Sequence, residues 1–533
     1  MWHPLFSICL YGITLCGYNR ALVFNIGVVM HRFTTIILLL YLLTLNFCAP
    51  TSKTPTTIPD VRSQHDQINR ALSTARLIEY VKKFSSDDFA GRLTGTPEYT
   101  SCARWVASLF EQWGLQPAGE KNTFLQSYPN PYTTVFVGGQ LSHSYKSQGK
   151  VRKKKYIYEK EYYPGSQSGN GEISAEVVYV GYGITAPELN YDDYKRVNVS
   201  GKIVLIEPEV PVSPTENPDL YEEWEPYASD HYKVKMAVAQ GAKGMLINNL
   251  RVNPDIDYVQ DFMTAQVGNT VVDHVFAGTG KTHAEIIAKI QKTLQPYSFP
   301  SRKTFTISNF TDHHEDGTGY NVLGLIEGTD PLLKDEGIII GANIDHVGFC
   351  YEIMPGANNN ASGAAVLLGL AESMSLSQEK PKRSLLFLGI GSKEQAFRGT
   401  QAYLNNPVFP RSKTTVFLNL FMVGCGEDLQ ALAAQNYPEL WDYIARANKN
   451  TVDRPIEPLP FANVRRPGLD AAFFVDKGIP SIIFLATGAP TFPYTTKDTP
   501  DTFTPQTLSD LAQALYRAIL DIANAEHDFL ESN

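Results

Sequence analysis

The stretch GANIDHVGFCYEIMPGANNNASG, residues 341–363, sets Asn343, Asp345 and His346 after an apolar run, then Asn358, Asn359 and Asn360 at a glycine-flanked turn. A carboxylate beside an imidazole, followed by a glycine-rich turn into a helix, is the layout of a metal-binding strand end. Asparagines stand where that layout would use a histidine and an aspartate. A neutral amide oxygen is a poor substitute for either. After RSLLFLGIG come Ser392, Lys393 and Glu394; after TTVFLNL comes Phe421; after PSIIFLATG a loop leads into FPYTTKDTPDTF. Lys393 is expected to pair with Glu394 or Asp345, the alternative being a lysine that points to solvent from a loop. Asn358–Asn360 are expected to form a turn and helix cap. Gly363 suits a close helix–sheet approach, and Phe421 suits core packing.

Other motifs fall short of their chemistry. AGTGKT at 277–282 resembles a phosphate loop, but Val275 holds the position that needs a glycine, and the motif is read as a polar loop. GSQSG at 165–169 has Gln167 where a nucleophile elbow has serine. No HExxH and no zinc-spaced cysteine pair occurs in the chain. His313 and His314, in TDHHEDG, are read as a solvated loop.

The elements that must position these residues alternate. GYNVLGLIEG, GIIIGANID, RSLLFLGIG, TTVFLNLFMVG and PSIIFLATG read as strands. ASGAAVLLGLAESMS and PQTLSDLAQALYRAILDIANAEHDFL read as helices between or after them. Such alternation predicts a mostly parallel sheet covered on both faces, with the site beyond the carboxyl ends of the strands. The opening part is α-rich, with a helix expected over 97–113 and a turn-rich break, GRLTGTPE, before it. From about residue 173 the texture turns β-rich. The organisation read from this is a signal region 1–48, a linker 49–65, an N-terminal part 66–172, an inserted block 173–300 and a C-terminal part 301–533.

GRLTGTPEYTSCARWVASLFEQWGLQPAG, NVLGLIEG, GANID, GANNNASG, NLFMVG and DKGIPSIIF together resemble blocks of the zinc aminopeptidase family (metallopeptidase family twenty-eight), over roughly residues 70–525. That family also contains glutamate carboxypeptidase and the transferrin receptor ectodomain. The resemblance implies a three-layer α/β/α fold of zinc-exopeptidase type, with a mixed, mostly parallel sheet and a β-rich protease-associated insert. It also implies a two-zinc site held by five side chains. Onto that pattern Asn343 falls at the first metal histidine, Asn359 at the bridging aspartate, and Lys393 at the general base. Glu394 falls at a metal glutamate, Phe421 at a metal aspartate, and Thr495, allowing a one-residue gap, at the late histidine. Asp345 matches the aspartate that orients the first histidine, and Asp470 a polar position whose following histidine is here Ala471. One ligand of five survives and the base is gone. Lys393 would repel a dication about 5 Å away by roughly 6 kcal/mol at an effective dielectric of about 20.

The reading is therefore an exported pseudopeptidase, a binding or structural module with no catalytic residue assigned and no metal or other cofactor expected. The alternative is an active zinc-dependent aminopeptidase that draws unusual ligands from Asp345, His346 and Glu394. A peptide or protein is the expected ligand. The formal charge of −9 over 533 residues argues against nucleic acid. The basic run KVRKKKYIYEK, 150–160, is read as a solvated strand or loop. Translation is read as beginning at Met30, with an apolar signal run from Phe33 to Phe47. Cys48, before a Thr/Pro-rich tether, resembles a bacterial lipidation site. This points to the cell envelope, periplasmic or outer-membrane-associated. Cys102, Cys350 and Cys425 are read as small buried hydrophobes.

Overall fold

The computed structural model describes residues 61–460, 469–527 and 529. The signal region, with Met30 and Cys48, and the linker up to residue 60 lie outside the described residues. No helix among the described residues is long and apolar enough to cross a membrane.

Strand Gly337–Asn343 runs through a nine-stranded sheet. It pairs in parallel with Ser384–Ile390 and Thr414–Leu420, and the latter pairs in parallel with Ser481–Thr487. Thr318–Ile326 and Asp428–Leu432 flank this parallel centre in antiparallel pairing. Every residue of the three middle strands is buried, which explains why their sequences are nearly continuous apolar runs. Alternate side chains enter opposite layers. Ile338, Ile340, Val416 and Leu418 pack with helices Thr74–Phe84, Pro97–Gln112, Ser362–Leu376 and Pro505–Asn524. Ile339, Phe417 and Ile483 pack instead with Tyr403 and Phe474 from helices Arg398–Asn405 and Asp470–Asp476. The outcome is a three-layer α/β/α arrangement around a mixed sheet. Each fully buried isoleucine in it contributes roughly 1.5–3 kcal/mol.

Local chemistry sets the helix ends. Thr96 accepts the N–H of Tyr99 at 3.2 Å, and Pro97 opens the helix that ends at Gln112, beside Gly114. Gly363 is required at its place: a Cβ there would come within 2.3 Å of the Leu420 carbonyl oxygen. The helix Ser362–Leu376 can therefore lie directly against the end of strand Thr414–Leu420.

A second, ten-stranded sheet takes eight of its strands from between Tyr132 and His314. It extends past 173–300 on both sides, because the long strands Tyr132–Ser147 and Ser298–His314 pair along most of their length. The basic run forms an exposed edge strand, Lys150–Lys155. His313 and His314 end a strand rather than sit in a loop. They lie opposite Thr133 and Tyr132, and their rings stack on Tyr258 and Tyr132 at 4.5 Å. Cross-strand pairing overrides the local polarity of TDHHEDG. Short strands Phe349–Cys350 and Glu352–Ile353, from the loop after Asn343, join the edge of this sheet, with Cys350 opposite Val135. The segment that carries Asp345 and His346 is thereby held between the two sheets. Cys102, Cys350 and Cys425 are free and buried.

Within the second sheet the Tyr156 hydroxyl hydrogen-bonds Nδ1 of both His143 (2.8 Å) and His274 (3.0 Å). Burial, together with the nearby His274, Lys154 and Lys303, pulls His143 from 6.5 down to about 4. A histidine whose folded pKa lies below its unfolded value contributes stability that is complete above about 6.5 and is lost as pH falls toward 4. The thermal midpoint is expected to drop across that window, and His143→Phe is expected to flatten the drop. Calorimetric scans in which both proteins decline in parallel would exclude His143 as the cause.

Candidate functional site

The carboxyl ends of the parallel strands converge on one buried ion pair. Lys393 Nζ donates to Glu394 Oε1 at 2.8 Å, and both side chains are about nine-tenths buried. Burial alone would discharge an ammonium. Here the neighbouring Glu394 and Tyr494 outweigh it and hold the Lys393 pKa above its usual range. The ring of Phe421 lies 5.1 Å below the ammonium, and the Tyr494 hydroxyl stands 3.5 Å from it. Phe421 is both half-buried packing and the face over which the charge sits.

The surrounding positions approach this pair in order. Asn359 Nδ2 donates to Glu394 Oε1 at 3.5 Å. The Glu394 amide donates to Asp345 Oδ2 at 3.4 Å. Burial, then the charge on Glu394, pushes Asp345 up to about 8, against the opposing pull of Lys393. Asn343 turns toward Asp470 instead, donating from Nδ2 to Oδ2 at 2.8 Å, while the Thr400 hydroxyl donates to the other Asp470 oxygen. His346 is fully buried and stacks at 5.8 Å on Tyr494. Burial, with Arg92 and Lys393 nearby, holds its pKa well below the usual value. Asn343 Oδ1, Asp345 Oδ1, Asn359 Oδ1 and both His346 ring nitrogens are buried without a hydrogen-bond partner among the described residues.

Thr495 does not join the group. Its hydroxyl donates to Phe492 O at 2.8 Å and accepts from the Lys497 amide at 3.2 Å, closing its own loop. Its neighbour Tyr494 faces the pair instead. The asparagines also differ from the expected helix cap. Asn358 Oδ1 accepts from the Gly424 amide, and Asn360 bonds both Leu420 O and the Met422 amide, all within 3.0 Å. They tie the turn to the strand end that carries Phe421. The capping oxygens come from Asp498, which accepts from the Asn358 and Asn359 amides at 2.7 and 3.0 Å.

Arg92 completes the frame. Its fully buried guanidinium donates to the carbonyls of Ile344 (3.1 Å), Phe84 (2.6 Å), Pro355 (2.8 Å) and Gly356 (2.9 Å). It thus spans the loop from the Asn343 strand end to the asparagine turn. Arg92, Tyr494, Asp498 and Thr400 were not singled out from sequence. The one available signal was a lone arginine in GRLTGTPE, between two amphipathic helices.

Among the described residues no three His, Cys, Asp or Glu side chains gather closely enough to hold a metal ion. A cleft of about 420 Å³ opens beside Glu394, lined also by Asp230, His231, Asn253, Asp255 and Asp257 from the second-sheet region.

The fold is that of the zinc aminopeptidases. The chain is similar to an aminopeptidase from Aneurinibacillus sp. strain AM-1 at 21% identity and a TM-score of 0.60, covering 86% of this chain and 96% of that one. A Shewanella amazonensis peptidase M28 precursor matches at 14% identity and a TM-score of 0.58, over 88% of this chain and 97% of that one. A zinc aminopeptidase from Bacillus subtilis matches at 16% identity and a TM-score of 0.55, over 85% and 96% of the two chains. These likenesses establish architecture. Residues 321–519 match the model of peptidase family M28, and this segment holds all the strand-end positions described above. Leupeptin-inactivating enzyme 1 of Streptomyces exfoliatus is 31% identical over 122 residues, 23% of this chain. The chain spans about a quarter, 26%, of that relative's length.

Proposed function

We propose that this protein is an M28 aminopeptidase-like module whose metal site is replaced by the Lys393–Glu394 pair, and that it binds peptide or protein ligands without hydrolysing them. The observation that carries this is the ammonium 2.8 Å from the one carboxylate at a family ligand position. Zinc needs three or four N, O or S donors from protein. The groups here are an engaged carboxylate, two neutral amides and a phenyl ring, and this set does not fit zinc. With its pKa raised, Lys393 keeps its proton at neutral pH and offers no base. The acidic cleft beside Glu394 suits a ligand that carries positive charge. An exported, envelope-associated protein is part of the same reading.

Two measurements test it. Untagged protein is expected to contain far less than one zinc per chain by elemental analysis, and to release no product from aminoacyl-arylamides. Near-stoichiometric zinc with chelator-sensitive release would overturn the proposal in favour of an active aminopeptidase with unusual ligands. Absence of zinc together with saturable binding of a lysine-rich peptide would support the binding module.

A further inference from the structure

A second pocket lies in the ten-stranded sheet, and none of its lining residues belongs to the Lys393 site. Its cavity is about 410 Å³ and is lined by Gly278, Thr279, Lys281, Ser301, Arg302 and Lys303, among others. Size alone suits a ligand of sugar dimensions. Its charge is unusual for this chain: three cations line it and no acid does, in a protein whose formal charge is −9. Lys281, Arg302 and Lys303 make no ion pair with any described residue. Like charges gathered around one cavity repel, and an anion placed among them relieves that repulsion.

The backbone is arranged to present them. Along the pairing with strand Gly171–Val180, Pro300 lies opposite Val178 and Thr304 opposite Glu176. Three residues, Ser301 to Lys303, therefore face the single residue Val177, a β-bulge of the kind that re-aims side chains. The Ser301 hydroxyl pins the bulge by donating to Val177 O at 2.6 Å and accepting from the Lys303 amide at 3.1 Å. Arg302 takes a left-handed φ of 57° there, a conformation that disfavours any residue with a Cβ. Lys303 Nζ lies 3.9 Å from where a Cβ on Gly278 would stand, so the ammonium faces the glycine turn. Lys281 Nζ sits 5.0 Å over the Phe299 ring on another side.

The opposing wall is AGTGKT, the motif that lacks the phosphate-loop glycine. It forms the turn between helices Asn269–Phe276 and His283–Thr293. That context is not the strand–loop–helix of a nucleotide site. Gly278 and Gly280 adopt φ of 77° and 73°, and their amides donate to no described residue. A glycine turn with free N–H groups is an anion-accepting concavity.

We propose that the bulge Ser301–Lys303 and the turn Gly278–Gly280 form a binding pocket for a phosphate or sulfate monoester on a sugar-sized molecule. The oxyanion would accept from Lys281, Lys303 and the free turn amides, with Arg302 at the rim.

The whole chain, titrated calorimetrically with glucose 6-phosphate, inorganic phosphate, inorganic sulfate and glucose, tests this. Saturable binding of glucose 6-phosphate, tighter than either inorganic anion and absent for glucose, is expected. Each of Lys281→Gln and Lys303→Gln is expected to weaken it about tenfold, the value of one charge-assisted hydrogen bond. The double variant Lys150→Gln/Lys153→Gln, which removes twice the charge of either pocket variant from the exposed edge strand, is expected to leave affinity within about twofold because exposed charges are screened. Unchanged thermal midpoints will show that the variants fold. The proposal fails if none of the four probes binds saturably, if glucose binds as well as its phosphate, if glucose 6-phosphate binds no tighter than the inorganic anions, or if the edge-strand variant weakens binding as much as the pocket variants.

Discussion

Replacing Lys393 by methionine is expected to destabilise the fold by about 3–5 kcal/mol, the cost of leaving a buried charge without its partner. The Glu394 carboxylate loses its 2.8 Å donor, keeping only the Asn359 amide at 3.5 Å, and Asp345 loses the cation that opposes its burial. The loss is expected to grow with pH, because a raised carboxylate pKa gives stability present at low pH and lost as pH rises through it. The double variant Lys393→Met/Glu394→Gln is the discriminating partner. Exchanging a whole buried pair for neutral groups is often near neutral, so it is expected to recover most of the loss. Urea unfolding of the two single variants and the double gives the coupling directly. A single-variant loss below about 1 kcal/mol, the range of exposed pairs, would mean that the lysine is solvated.

Arg92→Met is expected to have an effect of similar size, about 4 kcal/mol or more, since hydrogen bonds to charged groups are worth about 1.5–3 kcal/mol each. Four hydrogen bonds end on the Arg92 guanidinium. The carbonyls of Ile344, Pro355 and Gly356 lie in a segment that also pairs with the second sheet, so their loss reaches both sheets. Arg92→Lys is expected to recover less than half, because one ammonium cannot reproduce a planar fork that spans separated carbonyls. Denaturant midpoints measure both variants. An Arg92→Lys protein as stable as the parent would show that charge, and not fork geometry, is what the frame needs.

The parallel strands were legible because burial on both faces writes itself as unbroken apolar sequence, and Gly337–Asn343 is buried throughout. The helix from Pro97 was legible from apolar residues at helical spacing after a turn-rich break, and the structure adds its Thr96 cap. The pairing of Lys393 with Glu394 was legible because adjacent residues at a buried strand end have few other partners. Tyr494 was not. Threading the family pattern through the last loop put Thr495 at the site, whereas the folded loop turns Tyr494 inward with φ 64° and bends Thr495 back on itself. Which of two neighbours faces inward is set by backbone torsions that residue type barely constrains in a loop.

Sequence by itself determined which chemical groups stand at the strand ends: an amine, one carboxylate, amides and a phenyl ring, with the apolar periods that bring those ends together. Apart from the Lys393–Glu394 pair, only the tertiary structure decided their partners. Asn343 turns to Asp470, Asp498 caps the asparagine turn, and Arg92 clamps the loop, across separations of more than a hundred residues in each case. Periodicity fixes the face on which a side chain lies, because it follows from backbone geometry within a few residues. Hydrogen bonds between distant segments depend on how loops close, and loop closure is settled by the packing of the whole molecule.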